Sequence, residues 1–425
     1  MIDSNIIISK YQKEIYKQLK SKDNLLIEAV AGSGKTTTLI KGLDIVKGKT
    51  IFVAFNKHIA DNIKAENVKT LHALGLSIIK NQRSIKVEPK KINNTLKKYF
   101  GNYEKAKKWW YNVPKCISLM KATGLDVNEI CNNHDIEMIS GLEDIVHEIF
   151  DLSKKDKKTI DFDDMIYLPV VEEMKFESYD NVFVDEAQDL NPIQIDFLDR
   201  MGGRLVAVGD TYQSIYAFRG ADELSMGHIK DRFNCKQLPL SICYRCGDQI
   251  VAEAKKIVPH IEGTDSKGKV SKVSRPIFKE NDVVLCRITA DLINQCIKTM
   301  AKGIKAYVKG RNIGLELQRY MTKFPNDKLS ETETDRLCSI KPNLTIFLRD
   351  RHESACLLRG KKNIFSDNGV GVCFSTIHRS KGTEADRVYI LRDDLLPHPR
   401  GNKQQELNIK YVAITRAKKE LLWIQ

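Results

Sequence analysis

Residues 24–37, NLLIEAVAGSGKTT, decide the fold. The first half is an apolar run of strand length, the second a glycine-rich turn. TTTLIKGL follows with a helical pattern, and TIFVAF begins a second apolar run at Thr50. Strand, glycine loop, helix and strand between about Leu25 and Ala60 make a βαβ unit. A glycine loop in that setting closes backbone N–H groups on a phosphate at the positive end of a helix. Gly32 and Gly34 permit the close approach, and Ala31, Ser33 and Thr37 complete the cradle. Lys35 can reach the β/γ oxygens, and the Thr36 hydroxyl can ligate Mg²⁺. Ala29 stands where the general pattern has its first glycine, but the G-x-G-K-T core and its strand-helix setting are intact.

A second apolar strand, NVFVDEAQDL, ends in Asp185 and Glu186, which supply what the glycine loop lacks. Asp185 can hold magnesium through water, and Glu186 can polarise an attacking water as general base. A third, LVAVGD, leads into VGDTYQSIYAFRGA, residues 208–221. There Gln213 is of a phosphate-sensing type, and Tyr216 and Phe218 form a pair able to stack on bases. Arg245 in LSICYRC and Arg416 in YVAITRAKKEL can stabilise the charge that develops on a γ-phosphoryl group.

With 69 Lys and Arg against 55 Asp and Glu, the net charge is +14, which favours a polyanionic partner. No apolar run reaches the ~18–20 residues of a membrane span, and the first 20 residues lack a signal-peptide layout. A soluble, intracellular protein of the cytoplasm or nucleoid is expected. Ten cysteines scattered without paired spacings fit a reducing compartment. Cys243 and Cys246 form one C-x-x-C with Cys235 nearby, for which no fourth metal ligand at matching spacing is evident.

Strands lapse between residues 80 and 157, where Lys-rich helical sequence takes over, and resume at NVFVDEA, RLVAVGD, VVLCRIT, VGVCFSTI, RVYIL and LLWIQ. The fold class expected is α/β, with two parallel-sheet domains each interrupted by an insertion. The first comprises 1–79 and 158–224 around a helical insertion at 80–157. The second comprises 225–310 and 369–425 around a weakly patterned insertion at 311–368. Trp109 and Trp110, beside Lys105, Lys107 and Lys108, fit either a nucleic-acid track or a helix packing face.

The ordered set AGSGKTT, AFNKHIADNI, TLHALGL, DFDDM, VDEAQDLN, VGDTYQSIYAFRGA, CYRC, STIHRSKGTEADRVYIL and YVAITRAKKEL resembles the superfamily 1A DNA helicases of the UvrD/Rep/PcrA type. The AFNK form and the compact size are closer to the F-box DNA helicase and phage-type branches. The resemblance covers nearly the whole chain, weakest at the two insertions. It implies two RecA-like P-loop domains, 1A and 2A, with a helical 1B insertion and a reduced 2B insertion. ATP and Mg²⁺ are the implied cofactors, with ATP in the cleft between the two domains.

Residue by residue, the resemblance implies that Gln12 reads adenine, Tyr244 stacks on it, and Gly382 and Glu384 lie at the nucleotide, Glu384 on its ribose. Lys35, Asp185, Glu186, Gln213, Arg245 and Arg416 become the catalytic set, and Gln188 the link between hydrolysis and movement. Phe55, Asn56, His72, Tyr216, Phe218, Arg219, Thr376 and His378 become the single-strand track. Such a track needs aromatic faces for stacking, about 1–3 kcal/mol per base, with polar partners for phosphates.

The implied activity is ATP-dependent, 3′–5′ translocation on single-stranded DNA and unwinding of tailed or forked duplexes in replication, repair or recombination. A monomer is implied, with replication or recombination proteins as partners and no membrane. Two other readings stay open: a translocase that strips proteins with little unwinding, and a DNA-binding module with weak ATPase. Cys243 and Cys246 replace the family's Asn and Ser, and Phe218 replaces a common Trp. The short second insertion gives no basis for transferring control by 2B rotation.

Overall fold

The computed structural model describes residues 8–55, 60, 67–134, 136–216, 224–310, 365–367, 369–399 and 401–425 of the 425-residue chain. The chain divides into two compact units, one of residues 1–29 and 34–240, the other of 30–33 and 241–425.

Among its described residues the first unit is built on a sheet of six parallel strands: β1 (Leu25–Ala29), β2 (Thr50–Val53), β3 (Val68–Lys69), β6 (Asn181–Val184), β7 (Arg204–Gly209) and β8 (Lys236–Leu240). Their order is β3-β2-β6-β7-β1-β8. Successive side chains leave a strand on opposite faces, and both faces are packed. Val182 and Val184 join one core cluster with Leu26, Phe197 and Leu198, whereas Phe183 joins another with Ile15, Ile27 and Leu39. Double burial explains why these strands read as continuous apolar runs. β8 pairs with β1 from Leu25↔Lys236 to Ala29↔Leu240. Residues 225–240, expected in the second domain, therefore fold with the first, because β1 has an open edge that β8 fills.

Within this unit the helices Lys91–Phe100, Tyr103–Ala106, Asn112–Thr123, Val127–Asn133 and Leu142–Lys155 form the helical insertion. It has its own core, including Leu96, Ile117, Val146 and Ile149. Trp109 is buried there, its ring stacked 6.5 Å from that of Phe100, and Trp110 meets Tyr103 edge-on at 4.9 Å. The pair thus serves helix packing.

A short parallel pair, β4 (Lys86–Val87) with β5 (Thr159–Ile160), brings the two ends of the insertion together. Beside it lies a buried charge network. Lys121 Nζ reaches Asp161 at 2.9 Å and Asp164 at 2.8 Å, and Lys91 Nζ reaches Asp164 at 2.8 Å.

Among its described residues the second unit carries seven parallel strands: β9 (Lys269–Val273), β10 (Val283–Cys286), β11 (Ala306–Lys309), β12 (Phe365–Ser366), β13 (Val372–Thr376), β14 (Ala385–Leu391) and β15 (Ala417–Ile424). The order is β12-β11-β13-β10-β14-β15-β9. Val284, Phe374, Tyr389 and Leu422 pack one face against the helix Thr289–Ala301. Residues 311–364, most of the expected second insertion, lie outside the described residues.

Candidate functional site

β1 delivers the chain into the glycine loop, and the helix Lys35–Leu43 leaves it. Gly32 and Gly34 have φ of +67° and +80°, a left-handed conformation that side chains disfavour. No side chain caps this helix, so its first N–H groups are left for a ligand. Ser33 Oγ is buried and finds no hydrogen-bond partner among the described residues. A buried hydroxyl in that state costs free energy, and a phosphate oxygen would satisfy it. The loop therefore fits a polyphosphate.

At the end of β6, Asp185 Oδ2 accepts a 2.5 Å hydrogen bond from Thr36 Oγ1. Burial first, then the neighbouring Glu186 charge, pushes the Asp185 carboxyl up to about 6. A divalent cation on these two oxygens would remove that penalty, so the pair fits Mg²⁺. No cluster of three or more His, Cys, Asp or Glu is placed to hold a metal among the described residues. Lys35 Nζ stands 4.0 Å from Glu186 Oε1. Glu186 itself is held at φ +54°, a conformation costing about 1–3 kcal/mol in a residue with a side chain.

From Glu186 a chain of side chains runs through the buried interior. Gln188 Nε2 donates to Glu186 Oε2 at 2.5 Å, while Gln188 Oε1 accepts from the Asp210 backbone N–H at 2.9 Å. Gln213 Nε2 then donates to Asp210 Oδ2 at 2.7 Å. Asp210 is completely buried, and burial pushes its carboxyl up to about 6 despite Lys35 nearby and the Gln213 hydrogen bond. Asp210 was visible in the sequence only as the polar end of a strand. Its bond to Gln213 makes it part of the site.

Phe55, His72 and Tyr216 line one cavity of about 560 Å³. The Phe55 and Tyr216 rings are nearly parallel, 13° apart in plane and 6.3 Å between centroids. Desolvation pushes the His72 imidazole below its ordinary range, which favours the neutral ring. Asp185 lines the same cavity, so the acidic pair and the aromatic pair share a wall. Asn56, Phe218 and Arg219 lie outside the described residues.

Gln12 is buried, its amide accepting from Ser9 N–H at 3.0 Å and donating to Thr38 Oγ1 at 3.0 Å. It thereby ties the helix Lys10–Gln18 to the helix that opens at Lys35. Thr37, on the first turn of the latter, is half-buried.

In the second unit, Ala31 N–H donates to Tyr411 Oη at 2.9 Å, and Gly32 C=O accepts from Tyr244 N–H at 2.9 Å. A Cβ on Gly32 would lie 2.5 Å from Arg245 Cβ, so no larger residue fits. The Tyr244 ring is exposed. Arg245 Nε pairs with Glu384 Oε2 at 2.5 Å, and Lys418 Nζ with Glu384 Oε1 at 2.6 Å. Burial pushes the Glu384 carboxyl up, but Lys418 and Arg245 outweigh it and hold it below the usual range.

Arg416 is fully buried, donating to Val412 C=O at 3.1 Å, Thr383 C=O at 3.2 Å and Thr415 Oγ1 at 3.3 Å. Tyr411, Thr415 and Lys418 were not singled out in the sequence, although all three belong to the YVAITRAKKEL motif. Gly382 is exposed at φ +82°. Thr376 precedes the short helix Ile377–Ser380, on which His378 is half-buried. No described helix is long and apolar enough to cross a membrane.

Comparison with known proteins follows the two units. The profile of the UvrD/REP helicase N-terminal domain matches residues 44–234, and that of the UvrD-like helicase C-terminal domain matches residues 371–424. F-box DNA helicase protein 1 of Schizosaccharomyces pombe is 25% identical, covering 98% of this chain and 57% of its own length. F-box DNA helicase 1 of Gallus gallus is 23% identical over 94% of this chain and 47% of its own. The ATP-dependent DNA helicase Rep of Buchnera aphidicola is 25% identical over 60% of this chain and 43% of its own. The chain thus spans about half the length of the curated relatives it matches.

Proposed function

We propose that this chain, which belongs to the UvrD/Rep helicase family, is an ATP-dependent translocase on single-stranded DNA and a DNA helicase, moving 3′ to 5′. The observation that carries this reading is the buried chain Glu186–Gln188–Asp210–Gln213, together with the cavity wall that Asp185 shares with Phe55 and Tyr216. Groups suited to ATP hydrolysis and groups suited to gripping a base are joined through packed protein, as coupling of the two requires.

In this reading the glycine loop and Lys35 hold the β- and γ-phosphates of ATP, with Gln12, Tyr244, Gly382 and Glu384 around the base and ribose. Thr36 and Asp185 hold Mg²⁺, which supplies charge neutralisation at the phosphates. Glu186 orients and deprotonates the attacking water. Arg245 and Arg416 stabilise negative charge on the transferred phosphoryl group, and Gln213 senses its presence. Arg245 must exchange Glu384 for phosphate to do so. Gln188 and Asp210 transmit a change at Glu186 to the segment that carries Tyr216. Phe55, Tyr216 and Phe218 stack on bases, and Asn56, His72, Arg219, Thr376 and His378 contact the strand.

The test is ATP turnover with and without single-stranded DNA for the parent, Lys35→Ala and Tyr216→Ala. Lys35→Ala should lose turnover in both conditions, and Tyr216→Ala only the stimulation by DNA. Turnover in the parent that ignores DNA would sink the motor reading. Unwinding only of 5′-tailed duplexes would overturn the polarity.

A further inference from the structure

The cavity lined by Phe55 and Tyr216 also receives residues from the helical insertion and its base, Lys115, Ser118 and Asp163. Three acids stand close together in DFDDM, and two are spoken for: Asp161 and Asp164 face Lys121 and Lys91 in the buried network. Asp163 lines the cavity instead, with the Ser118 hydroxyl as a donor. An ionised carboxylate offers about four lone-pair sites, so one hydroxyl leaves it able to accept more. Burial pushes this carboxyl up, a penalty that a donor from a ligand would relieve.

Two other acceptors of the wall, the side-chain oxygens of Asn191 and Gln194, are committed elsewhere. Asn191 and Gln194 cap a helix through each other's backbone N–H groups, both at 3.0 Å. Asp185 and Asp189 add negative charge to the lining, which opposes a phosphate inside the cavity and favours a group that donates hydrogen bonds. Lys115 also lines the cavity, its ammonium donating to His134 C=O at 3.4 Å.

Building on the strand-track reading, we propose that Asp163 discriminates between bases, accepting a hydrogen bond from the exocyclic amine of a cytosine or adenine held against Phe55 and Tyr216. Carboxylates accept from cytosine N4 in direct base readout. Thymine offers only an imide N–H flanked by two carbonyl oxygens that repel a carboxylate. The motor thus grips amine-bearing bases more tightly than thymine at this position, rather than reading every base alike.

The experiment uses the full chain and compares oligo(dC) with oligo(dT) of equal length, by half-saturating concentration in DNA-stimulated ATP turnover and by fluorescence anisotropy. The parent should prefer oligo(dC) by about three- to tenfold, the factor of one net hydrogen bond. Asp163→Ala should bring the ratio to one, because it removes the acceptor for the exocyclic amine. Each ratio is internal to one protein, so a loss of folded fraction does not move it. An oligonucleotide of N4,N4-dimethylcytosine, tested on the parent, should lose the advantage without any change to the protein.

Equal use of the two homopolymers by the parent, or a preference that survives Asp163→Ala, overturns the proposal. Phe55→Ala separates the layers. If it weakens binding of every oligonucleotide while the dC/dT ratio of the parent is one, the track stands and the discrimination falls. If it leaves all binding unchanged, the track itself falls.

Discussion

Replacing Lys121 by methionine tests what holds the helical insertion to the first sheet. The Lys121 side chain is 2% exposed and its ammonium lies 2.9 and 2.8 Å from the carboxylates of Asp161 and Asp164. Methionine fills much of the volume but leaves two buried carboxylates sharing Lys91, whose Nζ is 2.8 Å from Asp164. Breaking a buried pair from one side costs about 3–5 kcal/mol, more than the intact pair contributes over an apolar substitute, because the remaining charge is stranded. With a urea dependence of about 2–3 kcal/mol per M, the midpoint should fall by about 1–2 M. Trp109 and Trp110 both sit in the insertion, so their fluorescence follows the relevant transition.

The pH dependence has a definite sign. Burial pushes the Asp164 carboxyl up, but Lys121 and Lys91 outweigh it and hold the carboxyl below its ordinary value of 3.8. Its contribution is present above that value and is lost as pH falls through the lower folded value. Burial pushes Lys121 down, and the two aspartates more than reverse it, leaving Lys121 above 10.5. That contribution is present below 10.5 and is lost as pH rises through the folded value. The deficit of Lys121→Met should therefore be full at neutral pH and shrink in acid, where the stranded carboxylates protonate. Adding Asp161→Asn to Lys121→Met should recover part of the loss. A midpoint change under about 0.3 M at neutral pH, or no rescue by the double substitution, would refute the argument.

Three further outcomes follow from the site. Lys35→Ala should lower ATP turnover by about 10²–10³, as removal of a transition-state charge partner does, with thermal stability near that of the parent; a smaller loss in a steady-state assay would remove Lys35 from the phosphate site. Gln188→Ala strands the buried Asp210 N–H, costing about 1–3 kcal/mol in urea unfolding. It should also cut stimulation by DNA more than basal turnover, whereas equal losses would deny Gln188 a coupling role. Asp210→Asn should stabilise the first unit above about pH 6 and not below about pH 4, because a carboxyl raised from 3.8 to about 6 disfavours the folded state once ionised. At about 1.4 kcal/mol per pH unit, the gain is at most about 3 kcal/mol; equal urea midpoints at pH 8 would contradict it.

The local geometry of the proposed phosphate site was legible in the sequence. Lys35 and Thr36 follow Gly34 in one turn of chain, so strand, glycine loop and helix bring them to one place whatever the rest does. Asp185 and Glu186 end an apolar run for the same reason. The boundary at residue 224 was misplaced because β8, KQLPL, has an exposed, mixed pattern and becomes a strand only through pairing with β1. Trp109 and Trp110 were ambiguous because an aromatic-lysine texture fits a packing face and a nucleic-acid surface equally well.

The sequence by itself determined the α/β class, the two parallel sheets, the glycine loop and the acidic strand end, since these depend on periodicity and on residues a few positions apart. Only the tertiary structure decided which distant groups meet. It placed Gln188 between Glu186 and Asp210, 22 positions apart from the latter, and closed Lys121 on acids about 40 positions away. It also turned Asp163, alone of the three acids in DFDDM, into the cavity of Phe55 and Tyr216. Hydrogen bonds and desolvation act over a few ångströms of space, and separation along the chain does not report that distance.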